Sequence, residues 1–281
     1  MPRQRNPTST SNVPHAHIYA LRNDGKEMSM SMSNTNTNTN TAEPNASRSE
    51  VDATMAKQHL ALTLILAATP SLGIGRAGAL PWPQLRKEMA YFRRVTSRVP
   101  KSVPTSGGSK RCNAVVMGRK TWDSIPPRFR PLEGRVNVVV TRSPGAFTAK
   151  LGAAGGGKEG HGNVQAVSSL HDALSLLQSY HSAPGEASDR TEARPEIGRV
   201  FVIGGATMYD AAMALPQTER ALLTKIQEEY ECDTFFSVDL DRDEGWRRCG
   251  KEEVEGWVGE QIEPVEEKGV KFEFQMFERV R

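Results

Sequence analysis

The chain has 281 residues, 37% hydrophobic and 25% charged, with a net charge of +3 spread over both signs. That length allows one or two domains, and interspersed charge leaves no basic face for nucleic acid. Three cysteines (Cys112, Cys232, Cys249) with no C-x-x-C pair exclude a disulfide scaffold and read as reduced thiols in a cytosol-like compartment; the six histidines have no metal spacing, and no apolar run reaches the ~18 residues of a membrane span.

Residues 1–57 hold the low-complexity tract Asn34 to Thr41, preceded by Met28, Met30 and Met32 among serines. Too little apolar mass is present for a core, so this stretch is predicted to be a disordered extension, with the folded domain over 58–281. Arg3, Arg5 and Arg22 with no acid before Asp24 give it a faint mitochondrial-presequence character, against which its Pro and Asn content counts. Met55 is a natural start for the folded part. A chain beginning there is expected to match the full chain in kcat, KM and melting temperature; a loss of several degrees in a thermal melt would show instead that the extension docks on the domain.

Leu62 to Ala68 is a continuous apolar run suited to a buried strand. Leu60 to Ala68, after Lys57, would pass for a secretory apolar segment if translation began at Met55, but the loop and helix that follow at once favour the strand. That loop contains Gly73-Ile74-Gly75-Arg76-Ala77-Gly78, a letter match to G-x-G-x-x-G. The dinucleotide fingerprint needs its turn to open directly into a helix, and Pro81 and Pro83 forbid that here. The glycines are expected instead to bring the loop close to a flat ligand.

Pro83 to Thr96 is predicted to be an amphipathic helix with proline at its first position. At about 100° per residue, Leu85, Met89, Phe92 and Val95 share one side, and Glu88 falls between Val95 and Phe92 on that side. A buried carboxylate costs several kcal/mol, roughly, unless a partner or a raised pKa relieves it. An ion pair with a buried arginine is the plain structural explanation. A strand, a glycine loop and an inward acid in succession favour a small-molecule site.

Further along, 101–110 is a Ser/Gly/Pro linker, 152–162 is glycine-rich and 182–196 is polar with prolines; all three are expected to be inserted surface loops. Strands are predicted over Asn113 to Met117, Val136 to Val140 and Arg199 to Ile203. Each ends in phosphate-type chemistry: Gly118-Arg119-Lys120-Thr121, then Thr141-Arg142-Ser143, then Gly204-Gly205 before a helix near Thr207. Any one alone is as well read as a basic surface turn. Gln165 to Tyr180 reads as strand then helix, with Leu170, Leu174 and Leu177 at helical spacing, and Val270 to Met276 alternates as a strand. Alternating strands and helices give an α/β sheet.

These residues together carry a family resemblance. Gly73-Ile74-Gly75, Leu80-Pro81-Trp82-Pro83, Glu88 and Phe92 resemble the opening of a dihydrofolate reductase. Val115 to Trp122 with Ser124-Ile125-Pro126, Val202 to Tyr209, Leu223 to Ile226 and Cys232 to Phe236 resemble its later blocks, in family order over about residues 60–281. The resemblance implies a mixed, mostly parallel sheet flanked by helices and closed by a C-terminal antiparallel hairpin. It implies NADPH-dependent reduction of dihydrofolate to tetrahydrofolate, serving one-carbon metabolism and thymidylate synthesis, in a monomer that needs no metal. Glu88, Trp82 and Thr224 would carry the catalysis, with Ile65, Phe92, Ser124, Ile125, Leu132, Ile203 and Tyr209 around the substrate and Arg135 on its glutamate carboxylate. Ala67, Gly73, Ile74, Gly75, Gly78, Gly118, Arg119, Lys120, Thr121, Thr141, Arg142, Ser143, Gly204, Gly205, Ala206, Thr207 and Met208 would hold the cofactor, with Gly204-Gly205 joined by the family's cis peptide. Two departures stand out: Ala79 where many relatives carry a polar residue, and Met89 in place of a frequent aromatic. The rival readings are a pyrimidine reductase of riboflavin synthesis, which should lack the Pro-Trp-Pro and inward-acid combination, and a non-catalytic nucleotide-binding protein.

Overall fold

The computed structural model describes residues 60–100, 111–153, 163–180 and 195–281. The predicted disordered extension and the 101–110 linker lie outside these residues, as does most of the other two insertions. Among the described residues are eleven strands: β1 (Leu62–Ala68), β2 (Gly73–Gly75), β3 (Arg111–Gly118), β4 (Arg135–Val140), β5 (Val164–Val167), β6 (Glu196–Val202), β7 (Thr218–Ile226), β8 (Thr234–Phe235), β9 (Trp246–Arg248), β10 (Val265–Glu267) and β11 (Val270–Arg279). Six α-helices accompany them: α1 (Arg86–Ser97), α2 (Arg119–Ser124), α3 (Pro144–Ala153), α4 (Leu170–Gln178), α5 (Ala206–Met213) and α6 (Lys251–Val258). None of the described helices is long and apolar enough to cross a membrane.

Nine strands form one sheet in the order β10-β11-β7-β1-β6-β3-β4-β5, with β9 on β11. From β7 to β5 every pairing is parallel, while β11 runs antiparallel to β7, β9 and β10. This is the mixed sheet with a C-terminal hairpin that the resemblance implies. Lys268 and Gly269, both at positive φ (54° and 76°), make the two-residue hairpin turn.

Strand alternation sorts the core onto two faces. Leu62, Leu64 and Leu66 of β1 with Ala114 and Val116 of β3 pack under Leu174 and Leu177 of α4 and Met208 and Ala212 of α5. Ile65, Val115, Met117 and Phe201 face the other way, against Tyr91 and Val95 of α1 and Val254 and Val258 of α6. Phe201, Phe272 and Phe277 are fully buried; truncating such a side chain to Ala costs about 3–5 kcal/mol.

Several boundaries differ from expectation. Helix α1 starts at Arg86 rather than Pro83, because the N–H groups of Arg86 and Lys87 need an acceptor and find it in Glu267 of β10, at 2.9 and 2.8 Å. Pro83 lies in the extended lead-in, next to buried Trp82. Its buried sector is also rotated: Tyr91, Val95 and Thr96 are inside, whereas Met89, placed on the apolar side by the periodicity, is 39% exposed. Gly152 and Ala153 belong to α3 rather than to a loop, and Glu196 opens β6 by pairing with Arg111.

Candidate active site

The rotated sector of α1 is centred near Glu88 and brings it to the face of the sheet where β1 and β7 run side by side. There Ala67 pairs in register with Thr224, and the Thr224 hydroxyl donates to a Glu88 oxygen at 3.5 Å. Thr224 is buried, and Glu88 is open to solvent only in part. Burial, opposed by the Thr224 hydrogen bond, pushes the Glu88 carboxyl up to about 7. Among the described residues no arginine or lysine forms an ion pair with it. Trp82 is buried against Leu85, Ile226 and Phe272, with no partner for its indole N–H among the described residues.

Apolar side chains from five segments meet on this face of the sheet. Ile65 of β1, Phe92 of α1, Ile125 after α2, Leu132 before β4 and Ile203 after β6 belong to one cluster. Tyr209 of α5 is buried and donates to the Ile65 carbonyl at 2.8 Å, and burial with the Glu88 charge raises its pKa. Ser124 is exposed, and its hydroxyl is engaged with the Thr121 carbonyl of its own helix at 2.7 Å.

Arg135 is the first residue of β4 and only 4% exposed. Its guanidinium donates to Thr96 Oγ1 at 2.7 Å and to the Glu133 carbonyl at 3.1 Å, with no acidic side chain in ion-pair reach among the described residues. Burial, then the neighbouring Arg93, depresses it to about 10. Asn137 fixes the approach to it: its side chain donates to the Leu132 and Arg135 carbonyls at 3.0 Å and accepts from the Leu132 N–H at 3.0 Å. Sequence reasoning passed over Asn137, although a buried amide in the run Val136-Asn137-Val138 is itself a signal. Cluster geometry of this kind is typical of a site built for a small anion-bearing ligand.

On the other side of the sheet's carboxyl edge, β3 and β6 end together. The Gly118 N–H donates to the Gly204 carbonyl at 2.8 Å, and the Gly204-Gly205 peptide is cis, with Gly204 at φ 118°. A Cβ on Gly118 would meet Met208 at 3.4 Å and the Gly204 carbonyl at 3.8 Å; one on Gly205 would lie 3.6 Å from the Thr121 hydroxyl. The starts of α2 and α5 thus lie against each other, Ala206 and Thr207 opening α5. Thr141 is buried at the end of β4, and the Ser143 N–H reaches its hydroxyl at 3.4 Å. Arg142 and Lys120 are exposed without an ion pair among the described residues, whereas Arg119 is drawn to Asp123 of its own helix at 2.8 Å.

The glycine loop is held by its own contacts within the protein. Gly73 and Gly75 pair with β8, and a Cβ on Gly73 would overlap Cys232 Sγ at 2.3 Å, so this glycine serves packing between the two ribbons. Ile74 packs against the α4/α5 side of the core. Gly78 has a positive φ of 77°, a conformation that other residues rarely adopt. Asp233 holds the loop by accepting from the Ala77 N–H at 2.7 Å. Elsewhere, Cys249, Glu253 and Glu278 lie near one another, but Arg247 already bonds both carboxylates at 2.9 Å.

The dihydrofolate reductase family model matches residues 61–279. The dihydrofolate reductase of Pneumocystis carinii is 42% identical over 228 residues, covering 79% of this chain and 98% of that protein. The dihydrofolate reductase of Sus scrofa is 34% identical over 225 residues, covering 78% and 97% respectively. Among solved structures, Schistosoma mansoni dihydrofolate reductase aligns with a TM-score of 0.55 at 28% identity, over 79% of this chain and all of that one. An inward acid on the first helix, met by a threonine from β7 beneath a cis Gly-Gly turn, is thus set in a chain that belongs to the dihydrofolate reductase family.

Proposed function

We propose that this chain catalyses NADPH-dependent reduction of 7,8-dihydrofolate to 5,6,7,8-tetrahydrofolate. The observation that carries the reading is the Glu88 carboxyl, enclosed, hydrogen-bonded to Thr224 and raised to about 7, a value matched to proton handling near neutral pH. Glu88 binds the amino and ring N–H groups of the pterin, with Thr224 as its hydroxyl partner. Ile65, Phe92, Ile125 and Leu132 clamp the ring and the aminobenzoyl group. Arg135 takes the glutamate carboxylate. Trp82, whose indole N–H has no partner among the described residues, helps Glu88 hold the water that protonates N5.

The residues present fit a dinucleotide. Gly118, Gly204 and Gly205 lie together where β3 and β6 end, with Gly204 at a φ of 118° that other residues rarely adopt, and two helix starts would supply N–H groups for its phosphates. Thr141, Arg142 and Ser143 would hold the adenosine 2′-phosphate, with Arg142 better placed than Arg119, which is engaged by Asp123. When bound, the cofactor supplies the hydride that goes to C6 of the pterin. The protein contributes orientation and exclusion of water.

Purified protein with NADPH and dihydrofolate is expected to lose NADPH absorbance only when both are present; no loss from demonstrably folded protein would favour the non-catalytic reading. The pyrimidine-reductase reading is not favoured, since the Pro-Trp-Pro segment and inward acid are both here and the relatives are dihydrofolate reductases. Arg142→Ala is expected to raise the NADPH KM by about 10- to 150-fold, the equivalent of a charge-assisted contact of roughly 1.5–3 kcal/mol. NADH should be little affected. Equal damage to NADH and NADPH would remove Arg142 from the 2′-phosphate site.

A further inference from the structure

Four side chains close a ring beside the Glu88 carboxyl. Glu88 meets Thr224 of β7 at 3.5 Å, and Thr224 stands opposite Phe274 of β11 in register. Phe274 stacks on Tyr91 with ring centroids 3.8 Å apart and planes at 20°. Tyr91 returns to the start, three residues along α1 from Glu88 and so its neighbour on the helix surface. Tyr91 is 2% exposed, and its hydroxyl has no hydrogen-bond partner among the described residues. Burying an unpaired hydroxyl costs free energy that phenylalanine would avoid, so the stacked ring alone does not account for a tyrosine here.

Two carboxylates and one guanidinium act on that hydroxyl: Glu260, Glu88 and Arg94. Glu260 is already satisfied, with Arg94 on both oxygens at 2.8 Å and Arg98 on one at 3.2 Å. Tyr209, the other tyrosine affected by Glu88, is committed to the Ile65 carbonyl. Glu88 itself has only the long contact to Thr224 among the described residues and can accept another donor. We propose that Tyr91 is a positioning residue for the reduction, its hydroxyl donating through one bridging water to the Glu88 carboxyl and holding that group against the pterin. The inference rests on the reading of Glu88 as the pterin-binding acid.

A donor to the ionised carboxylate favours that form, so removing it moves the titration upward. The test is Tyr91→Phe in the full chain, which keeps the ring stack and removes only the hydroxyl. Single-turnover oxidation of NADPH by dihydrofolate is followed across pH. The midpoint of the fall in rate with rising pH is expected to move up by about half a unit or more, with no loss in melting temperature. A midpoint that is unmoved, or moves down, overturns the proposal whatever the melting temperature does. Glu88→Gln run alongside separates the two readings. If it keeps the parent profile, the Glu88 assignment fails; if it abolishes that profile while Tyr91→Phe leaves it unmoved, only the role of Tyr91 falls.

Discussion

Glu88→Gln is expected to turn over about tenfold to a hundredfold more slowly at neutral pH and, at the same time, to melt higher than the parent protein. The amide keeps the size but cannot favour a protonated pterin as a carboxylate can, so the rate loss should shrink at low pH, where the substrate is already protonated. The stability gain follows from the same burial. The folded-state value of about 7 lies above the ordinary value of 4.5, so below pH 4.5 both states hold the proton and the substitution changes little. Between those values the unfolded chain releases the proton while the folded one keeps it, and stability falls as pH rises. Above about 7 the full penalty applies, up to about 3 kcal/mol, or several degrees of melting temperature for a domain of this size. Wild-type turnover at pH 7 would refute the catalytic assignment. Identical melting at pH 8 would show that the carboxyl is solvated.

Arg135→Leu should separate ligands sharply. Folates bearing a glutamate should bind at least about tenfold to a hundredfold more weakly, whereas pterins without that tail should bind almost as before. The free protein should melt no lower, because the substitution removes a buried cation that has no acidic partner among the described residues. Titrating both ligand classes by fluorescence checks this. Equal weakening of both would mean that Arg135 shapes the pocket through Thr96 and Leu132 rather than binding a carboxylate.

Local periodicity was enough to aim Glu88 inward, because an acid on an apolar stripe stands out whatever it faces. Its partner was legible only through the family resemblance, since Thr224 arrives by a β1–β7 pairing between distant segments. The start of α1 was misplaced for a similar reason. Pro83 is a sound local signal, but the carboxylate that satisfies the helix comes from Glu267, on a hairpin far along the chain. The burial of Arg135 is set by Thr96 and the sheet edge, which no window around residue 135 contains. Tyr91 escaped notice because an aromatic at the edge of an apolar stripe looks like ordinary core, and only the unpartnered hydroxyl distinguishes it. The contact of Gly73 with Cys232, between two short ribbons, was not legible, because the two residues are brought together only by the β2–β8 pairing.

The place of β1 in the sheet also bears on how the protein is made. Both of its edges are covered by strands synthesised much later: Leu62 faces Val200 on one side and Thr218 on the other. Until those residues have left the ribosome, Leu-Thr-Leu-Ile-Leu-Ala-Ala is an uncharged, apolar segment with two open hydrogen-bonding edges. Such a stretch is a template for intermolecular pairing and a binding site for holding chaperones. Closing the sheet around it requires long-range contacts, which slows folding. Soluble yield in a cell should therefore depend more on chaperone supply during translation than on the stability of the finished enzyme.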